Sequence, residues 1–246
     1  MRDDLKTDST IPFNTTIPFT WPAVRKGVLA SLAYVPGYLV FGAAVGTLAA
    51  QKGLSLGEAV LMSTIVCAAA AQMVALELWT SDWTLAHILA VAGVTAMVNA
   101  RFILSGASLR PWLSPMRAGF VYPVLGVLTD GAWAASIRYH ADGGRDFGFF
   151  FGSTVFLWLA WSLASVPGYL LGALVHDPKA YALDLIVPLM FTATVTPILA
   201  RTGKYLAFVV AGGVAFAASV LLPGYWFIVI GALAGAAAGA FAPVRP

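Results

Sequence analysis

The chain has 246 residues, of which 60% are hydrophobic and only 10% charged, against roughly 25% charged in an ordinary soluble domain. A chain this apolar cannot cover a soluble surface with polar groups, so the composition excludes an ordinary soluble domain and points to a bilayer as its solvent. The net charge of +3 is small and scattered, without a five-residue basic cluster, and no nucleic-acid-binding surface is expected.

The apolar residues form long unbroken runs, not the alternating segments of about ten residues that a β-barrel needs. The expected fold is therefore all-α: a polytopic membrane helical bundle of about seven or eight spans, with kinked or broken helices and a suggested internal repeat. Residues 1–24 read as a polar arm and 25–246 as a single transmembrane domain. Trp79, Trp83, Tyr225 and Trp226 fall where an aromatic belt would anchor helices at the membrane interface. Cys67 is the sole cysteine, which rules out an intrachain disulfide and a cysteine-based metal site.

The arm carries Asp3, Asp4, Lys6 and Asp8 and lacks the apolar core of a signal peptide, so the first apolar helix is expected to stay in the mature protein. Arg25 and Lys26 precede the first span, about Gly27 to Ala50, and favour a cytoplasmic amino terminus. Within it, Pro36 and Gly37 predict a kink whose unwound backbone either serves helix packing or offers hydrogen bonds to a ligand. A second span, about Leu56 to Trp79, places Ser63, Cys67 and Ala71 on one face and Thr64, Ala68 and Gln72 on the next if the helix is continuous. Gln72 is expected either to join two helices or to line a polar site. His87, near the start of the third span, reads as an interfacial side chain, since no second histidine stands at ligand spacing.

The third span, about Trp83 to Leu109, contains Asn99 and Arg101. An arginine at the centre of a membrane helix costs about 2.5 to 3.5 kcal/mol on insertion scales, which makes these residues the first candidates for a functional site. Two positions apart on a helix means about 200°, so either the helix breaks there or the two side chains do different jobs. A third reading has Arg101 snorkel toward the interface near Arg110. The fourth span, about Gly119 to Tyr139, aligns Gly126, Asp130, Trp133 and Ile137 if continuous. Asp130 at that depth needs protonation or a cation, and Arg101 is the expected partner.

A fifth span, about Phe147 to Val175, carries Ser162-Leu163-Ala164-Ser165-Val166-Pro167-Gly168-Tyr169-Leu170, an echo of Ser31-Leu32-Ala33-Tyr34-Val35-Pro36-Gly37-Tyr38-Leu39. Gly42 and Gly46 echo Gly168 and Gly172 in a different register. A true duplication would place a substrate site where two broken helices meet. A sixth span follows from Leu183 to Leu199, with Asp184, Pro188 and Pro197, and then two more, Tyr205 to Leu222 and Tyr225 to Phe241. Gly231, Gly235 and Gly239 form a ridge in the last, for packing against this bundle or another subunit. Eight simple crossings put Arg138, Arg145, Arg201, Lys204 and Arg245 inside, as the positive-inside rule asks, but put Arg110 and Arg117 outside. One of spans two to four is then expected to be re-entrant or of half length.

With these motifs in view, the sequence resembles the AzlC family, the large subunits of branched-chain amino acid permeases. The resemblance runs from about Ala30 to Leu199. It is carried by Pro36 with Gly42 and Gly46, by Leu61-Met62-Ser63 to Ala71-Gln72, by Asn99-Ala100-Arg101, by Leu128-Thr129-Asp130, and by Trp161 to Gly172 and Asp177-Pro178 to Pro188. Phe102 and Gly131 depart from the family pattern, which tends to have histidine and glutamate there. The resemblance implies an inner-membrane, multi-pass exporter of valine-like amino acids working with a small AzlD-like membrane subunit.

The expected function is thus a transporter subunit without cofactor or metal, and not an enzyme, since no acid–base pair, activated nucleophile or metal cluster is visible in the sequence. Its expected substrate-binding residues are Pro36, Gly37, Gln72, Asn99 and Arg101, with Asp130 as the ion-coupling residue. Arg101, with Asn99, would bind the substrate carboxylate or neutralise Asp130. A non-transporting scaffold, in which the same polar residues only fix helix packing, is the alternative.

Overall fold

The structure, a computed structural model, describes residues 17–80, 83–174, 205–222 and 226–241, together with Leu185, Thr192, Thr196, Leu199 and Ala200. The arm over 1–16, the sixth span apart from those single residues, and the loops 176–179 and 201–204 lie outside the described residues. All described regular structure is helical. Three described helices are long and apolar enough to cross a membrane: Trp21–Gln51, Leu85–Ser108 and Phe147–Ala173. The apolar segments Leu56–Ile65, Tyr205–Leu221 and Ile230–Ala240 are shorter.

The chain packs as two compact units, one formed by residues up to Tyr34 with Leu104–Trp158, the other by Val35–Ile103 with Leu159 onward. In the first unit, helix α1 (Trp21–Ser31) is capped by the Thr20 hydroxyl, which accepts from Ala23 N–H. A 3-10 turn (Leu32–Tyr34) follows and leads to α2 (Val35–Gln51) of the second unit. The proline kink is realised as this tightened turn. Pro36 is the second residue of α2, and the missing N–H of a proline in a first turn costs no helical hydrogen bond.

The α2 helix is followed by α3 (Leu56–Ile65) and α4 (Ala69–Glu77). The α3 helix is started by a reciprocal cap in which Glu58 N–H donates to Ser55 Oγ and Ser55 N–H donates to Glu58 Oε2. The expected continuous second span is therefore broken. Val66 (φ −104°, ψ 90°) and Ala68 (φ −146°, ψ 110°) are extended, and the chain reverses between them. Lys52 Nζ, just ahead of α3, lies 3.8 Å from Glu77 Oε2 and donates to the Glu77 carbonyl at the end of α4. Deeper in the pair, Gln72 Nε2 donates to Ser63 Oγ. The ends and the middle of the two helices thus pair in antiparallel order, and Ala59, Met73 and Leu76 share one core with Val45 and Leu48 of α2.

Helix α5 (Leu85–Asn99), capped by Thr84, runs into α6 (Arg101–Ser108), the one-turn α7 (Arg110–Leu113), α8 (Ala118–Gly126) and α9 (Asp130–Ala141). The fourth span is also interrupted, at Val127–Thr129, so Gly126 and Asp130 do not share one continuous helix face as expected. Trp133 Nε1 donates to Ser108 Oγ at 2.8 Å, and the ring of Trp112 stacks on His140 at 5.3 Å and 4°. These pairs advance together, so α6–α7 and α9 run in the same direction. The segment that follows Trp112 into α8 therefore begins at the end where α9 finishes, and α8 runs back along it; Leu125 of α8 lies beside Gly106. Like α3–α4, α8–α9 is a helical hairpin.

Helix α10 (Phe147–Ala173) is unbroken. Its first part antiparallels α9, with Tyr139 stacked on Phe149 at 3.9 Å and Ser136 Oγ 3.5 Å from Ser153 Oγ, and it runs parallel to α1. Phe147 N–H donates to the Pro18 carbonyl, and Asp146 Oδ2 accepts from the Thr20 hydroxyl at 2.6 Å. Asp146 also accepts from Gly148 N–H at 2.7 Å, so one carboxylate ties the starts of both helices together. In the second unit the rest of α10 runs parallel to α2: Tyr38 meets Trp161 edge-on at 5.6 Å, and Thr47 Oγ1 donates to the Gly168 carbonyl at 2.9 Å. Pro167 does not break α10, contrary to the expectation drawn from the repeated Pro-Gly. The following glycine is used for contact, because a Cβ on Gly168 would strike Ala43 backbone.

The last pair, α11 (Tyr205–Leu221) and α12 (Trp226–Phe241), packs closely. A Cβ on Gly231 would come within 2.6 Å of Ala215 Cβ, and one on Gly235 within 2.6 Å of Ala211 Cβ. The glycine ridge is thus taken up by alanines of this chain.

These contacts separate two superficially similar glycines. Gly46 leaves no room for a methyl group, with Tyr169 N–H 2.7 Å from where its Cβ would stand, whereas nothing lies within 4 Å of one on Gly37. Gly46→Ala is expected to destabilise the purified protein by about 1–3 kcal/mol, and Gly37→Ala to leave stability unchanged or raise it by up to about 1 kcal/mol, read from thermal unfolding in detergent.

Candidate functional site

The α3–α4 break is held by a buried polar network. Ser63 and Gln72 are 0% exposed. The Gln72 amide donates to Ser63 Oγ at 3.0 Å and its oxygen accepts from Trp161 Nε1 at 2.9 Å. The sequence expectation put Ser63 on a face with Cys67 and Ala71, and Gln72 on the next. The extended residues at 66 and 68 void that spacing, and Ser63 and Gln72 face each other across the hairpin. Trp161, which the sequence reading did not single out, supplies the second bond. The only signal available for it was an indole N–H deep in an apolar run, which must find an acceptor.

The α8–α9 break carries Thr129 and Asp130. Thr129 is the extended N-cap of α9, and its hydroxyl accepts from Ala132 N–H. Asp130, the first residue of α9, is exposed while Gly131 and Ala132 behind it are buried. A carboxylate at the positive end of a helix is stabilised by about 0.3–1 kcal/mol, and up to about 2 kcal/mol where partly buried. Asp130 therefore draws on the α9 dipole whatever its side-chain partner. It belongs to the first compact unit and Arg101 to the second.

At the opening of α6 the helix tightens without turning away. Ala100 stays in the right-handed region (φ −54°, ψ −25°), but its N–H bonds to Met97 O at 3.2 Å, and Ile103 N–H bonds to Ala100 O at 3.1 Å. These are i to i−3 bonds, a single 3-10 turn between α5 and α6. Such a turn leaves Asn99 and Arg101 on different faces. Arg101 is exposed with its guanidinium 5.0 Å from the Phe102 ring centroid, while Ile103 and Leu104 beside it are about three-quarters exposed, as side chains facing lipid would be. Asn99 Oδ1 is buried and has no hydrogen-bond partner among the described residues. A buried acceptor left empty costs about 1–3 kcal/mol, and native proteins keep few of them without a reason.

Pro36 and Gly37 are both exposed at the start of α2. Of the six residues expected to form the site, Pro36, Gly37, Gln72, Asn99 and Arg101 belong to one unit and Asp130 to the other. The partners of the Gln72 amide are Ser63 and Trp161, neither of which was expected to form the site.

The network predicts a specific loss. Gln72→Met, which keeps the volume, strands the Trp161 N–H and the Ser63 hydroxyl. It is expected to lower stability by about 1–3 kcal/mol in a thermal melt, with little further loss when Ser63→Ala is added, because the serine has already lost its partner.

Neither the curated proteins nor the solved structures yield a match. The family model described as AzlC protein matches residues 33–175, which contain both hairpins, the Asn99–Arg101 turn and all of α10. The chain belongs to the AzlC family, a membrane transporter family associated with branched-chain amino acid transport and not a family of enzymes.

Proposed function

We propose that the protein exports branched-chain, valine-like amino acids across the cytoplasmic membrane, together with a small AzlD-like membrane subunit. The observation that carries this reading is the empty, buried Asn99 acceptor one residue from a 3-10 turn and two from an intramembrane arginine. A zwitterionic amino acid needs an acceptor for its ammonium group and a cation for its carboxylate. Asn99 Oδ1 provides the first; the Arg101 guanidinium, on a different face of the helix, is a planar donor that matches a carboxylate and would act at a separate contact, not in one pose with Asn99. An aliphatic side chain adds only apolar contact, which the surrounding helices supply in abundance.

Asp130 is the ionisable switch. It stands in the first turn of α9, directly after the Thr129 cap. Pro36 and Gly37 give α2 an exposed first turn for backbone contact with substrate. Gln72 acts through Ser63 and Trp161 by holding the α3–α4 hairpin in shape.

The scaffold alternative loses one support, because the glycine ridge of α12 is packed against α11 of the same chain.

Transport is measured as valine efflux from loaded proteoliposomes containing the protein and its partner subunit. Asn99→Leu is expected to raise the half-saturating valine concentration about 10- to 100-fold, the equivalent of one hydrogen bond to a charged group, without lowering the melting temperature, because it removes an unsatisfied acceptor. Arg101→Ala and Asp130→Asn are expected to abolish efflux at normal membrane levels. Unchanged efflux in all three variants would contradict the reading. Misassembly of all three, with no efflux from the intact protein, would favour the scaffold.

A further inference from the structure

We propose that the outer face of α1 holds an anionic phospholipid, with the lipid phosphate on Arg25 and Lys26 and an acyl chain along Leu29. The site lies wholly in the first compact unit and uses none of the residues proposed to bind substrate.

The helix itself builds the site. Trp21, Arg25 and Leu29 follow one another at i, i+4 and i+8, and Pro22, Lys26 and Ala30 do so in the adjacent row. These two stripes line an open groove of about 800 Å³, and all six residues are exposed. The opposite face of α1, with Ala23, Gly27 and Ser31, is buried, and Gly27 meets Phe149 and Ser153 of α10. Trp21 is 74% exposed and Leu29 54%. At 1.5 Å per residue, Arg25 stands roughly 6 Å past Trp21 and Leu29 roughly 12 Å past it. A tryptophan at a membrane-helix end sits at headgroup level. The groove thus offers an aromatic ring and two cations at the depth of the phosphates, and aliphatic surface where the acyl chains begin.

The fold leaves both cations available. Neither makes an ion pair among the described residues. Asp146, the acid at the start of α1, already accepts from Thr20 and from Gly148 N–H. Thr20 also caps the helix, so the attraction rests on the two side chains and not on the helix start. Lys26 Nζ lies 5.3 Å from the Tyr139 ring centroid, and Tyr139 is itself stacked on Phe149. That contact places the ammonium before a ligand arrives, which lowers the ordering cost of binding. The Arg25 guanidinium adds a fork of donors that matches phosphate oxygens. A zwitterionic headgroup brings its own cation to compete for the phosphate, whereas an anionic one does not.

The test titrates the detergent-purified, full-length protein with phosphatidylglycerol or phosphatidylcholine and reads the lipid adducts by native mass spectrometry. The unaltered protein is expected to bind phosphatidylglycerol several-fold more tightly than phosphatidylcholine. Arg25→Gln and Lys26→Gln are each expected to weaken phosphatidylglycerol binding about 5-fold, and the double variant about 30-fold, the share that each cation near a membrane surface contributes toward an anionic lipid. Arg25→Lys keeps the charge and is expected to retain the lipid. Arg117→Gln removes an equal charge outside the groove and is expected to change little. Equal binding of the two lipids, unchanged binding in the double variant, or an equal loss in Arg117→Gln would overturn the proposal. Displacement of the lipid by millimolar inorganic phosphate would make the groove a site for free anions and not for lipid. Tighter lipid binding after Asp3→Asn, Asp4→Asn and Asp8→Asn are combined would show the amino-terminal arm to be the occupant instead.

Discussion

Every backbone N–H and C=O at membrane depth must be satisfied by protein or water, and this constraint orders the whole structure. It explains why the described regular structure is helical, and it makes the interruptions informative. Each costs several hydrogen bonds that lipid cannot replace. The chain places three of them in the AzlC segment, at Val66–Ala68, Ala100 and Val127–Thr129, and each carries a different repair. Thr129 caps α9 with its own hydroxyl, Ala100 shifts its bonding by one residue, and the α3–α4 turn is braced from the side by Ser63, Gln72 and Trp161. Beside the Ala100 turn, Asn99 Oδ1 is left buried without a partner among the described residues, as are Gln51 Nε2 and Thr154 Oγ1 elsewhere.

Against this, the parallel packing of α10 on α1 and on α2 supplies a rigid frame. Backbones approach so closely that glycine is needed where Gly46 faces Tyr169 and where Gly168 faces Ala43. In lipid, where apolar side chains gain little from one another, such contact is the main source of helix affinity.

The sequence made the class, the helix-rich regions and the costly polar residues legible, because composition and the price of burying Arg101 or Asp130 do not depend on tertiary detail. It also flagged the misfit of Arg110 and Arg117 with simple crossings. It did not reveal the two reversals. The α3–α4 break falls in Val66-Cys67-Ala68, without the glycine or proline that marks turns, and α4 opens on three alanines, the best helix formers. Tertiary pairing of Ser63 with Gln72 overrides that propensity. Pro167-Gly168 presents the opposite case, since it has the composition of a break yet lies within a continuous helix, its glycine spent on contact with Ala43. Local punctuation was misleading at both places because the deciding partner lies far away in the sequence.

The central structural claim is that the chain reverses at Val66–Ala68, so that Ser63 and Gln72 meet across a hairpin. A Ser63→Cys, Gln72→Cys pair in a Cys67→Ser background tests this directly. The account predicts a disulfide between the two under mild oxidation in lipid nanodiscs. A continuous helix would hold positions nine residues apart about 13 Å apart along its axis, beyond disulfide reach, and a pair that stays reduced in folded protein would contradict the account.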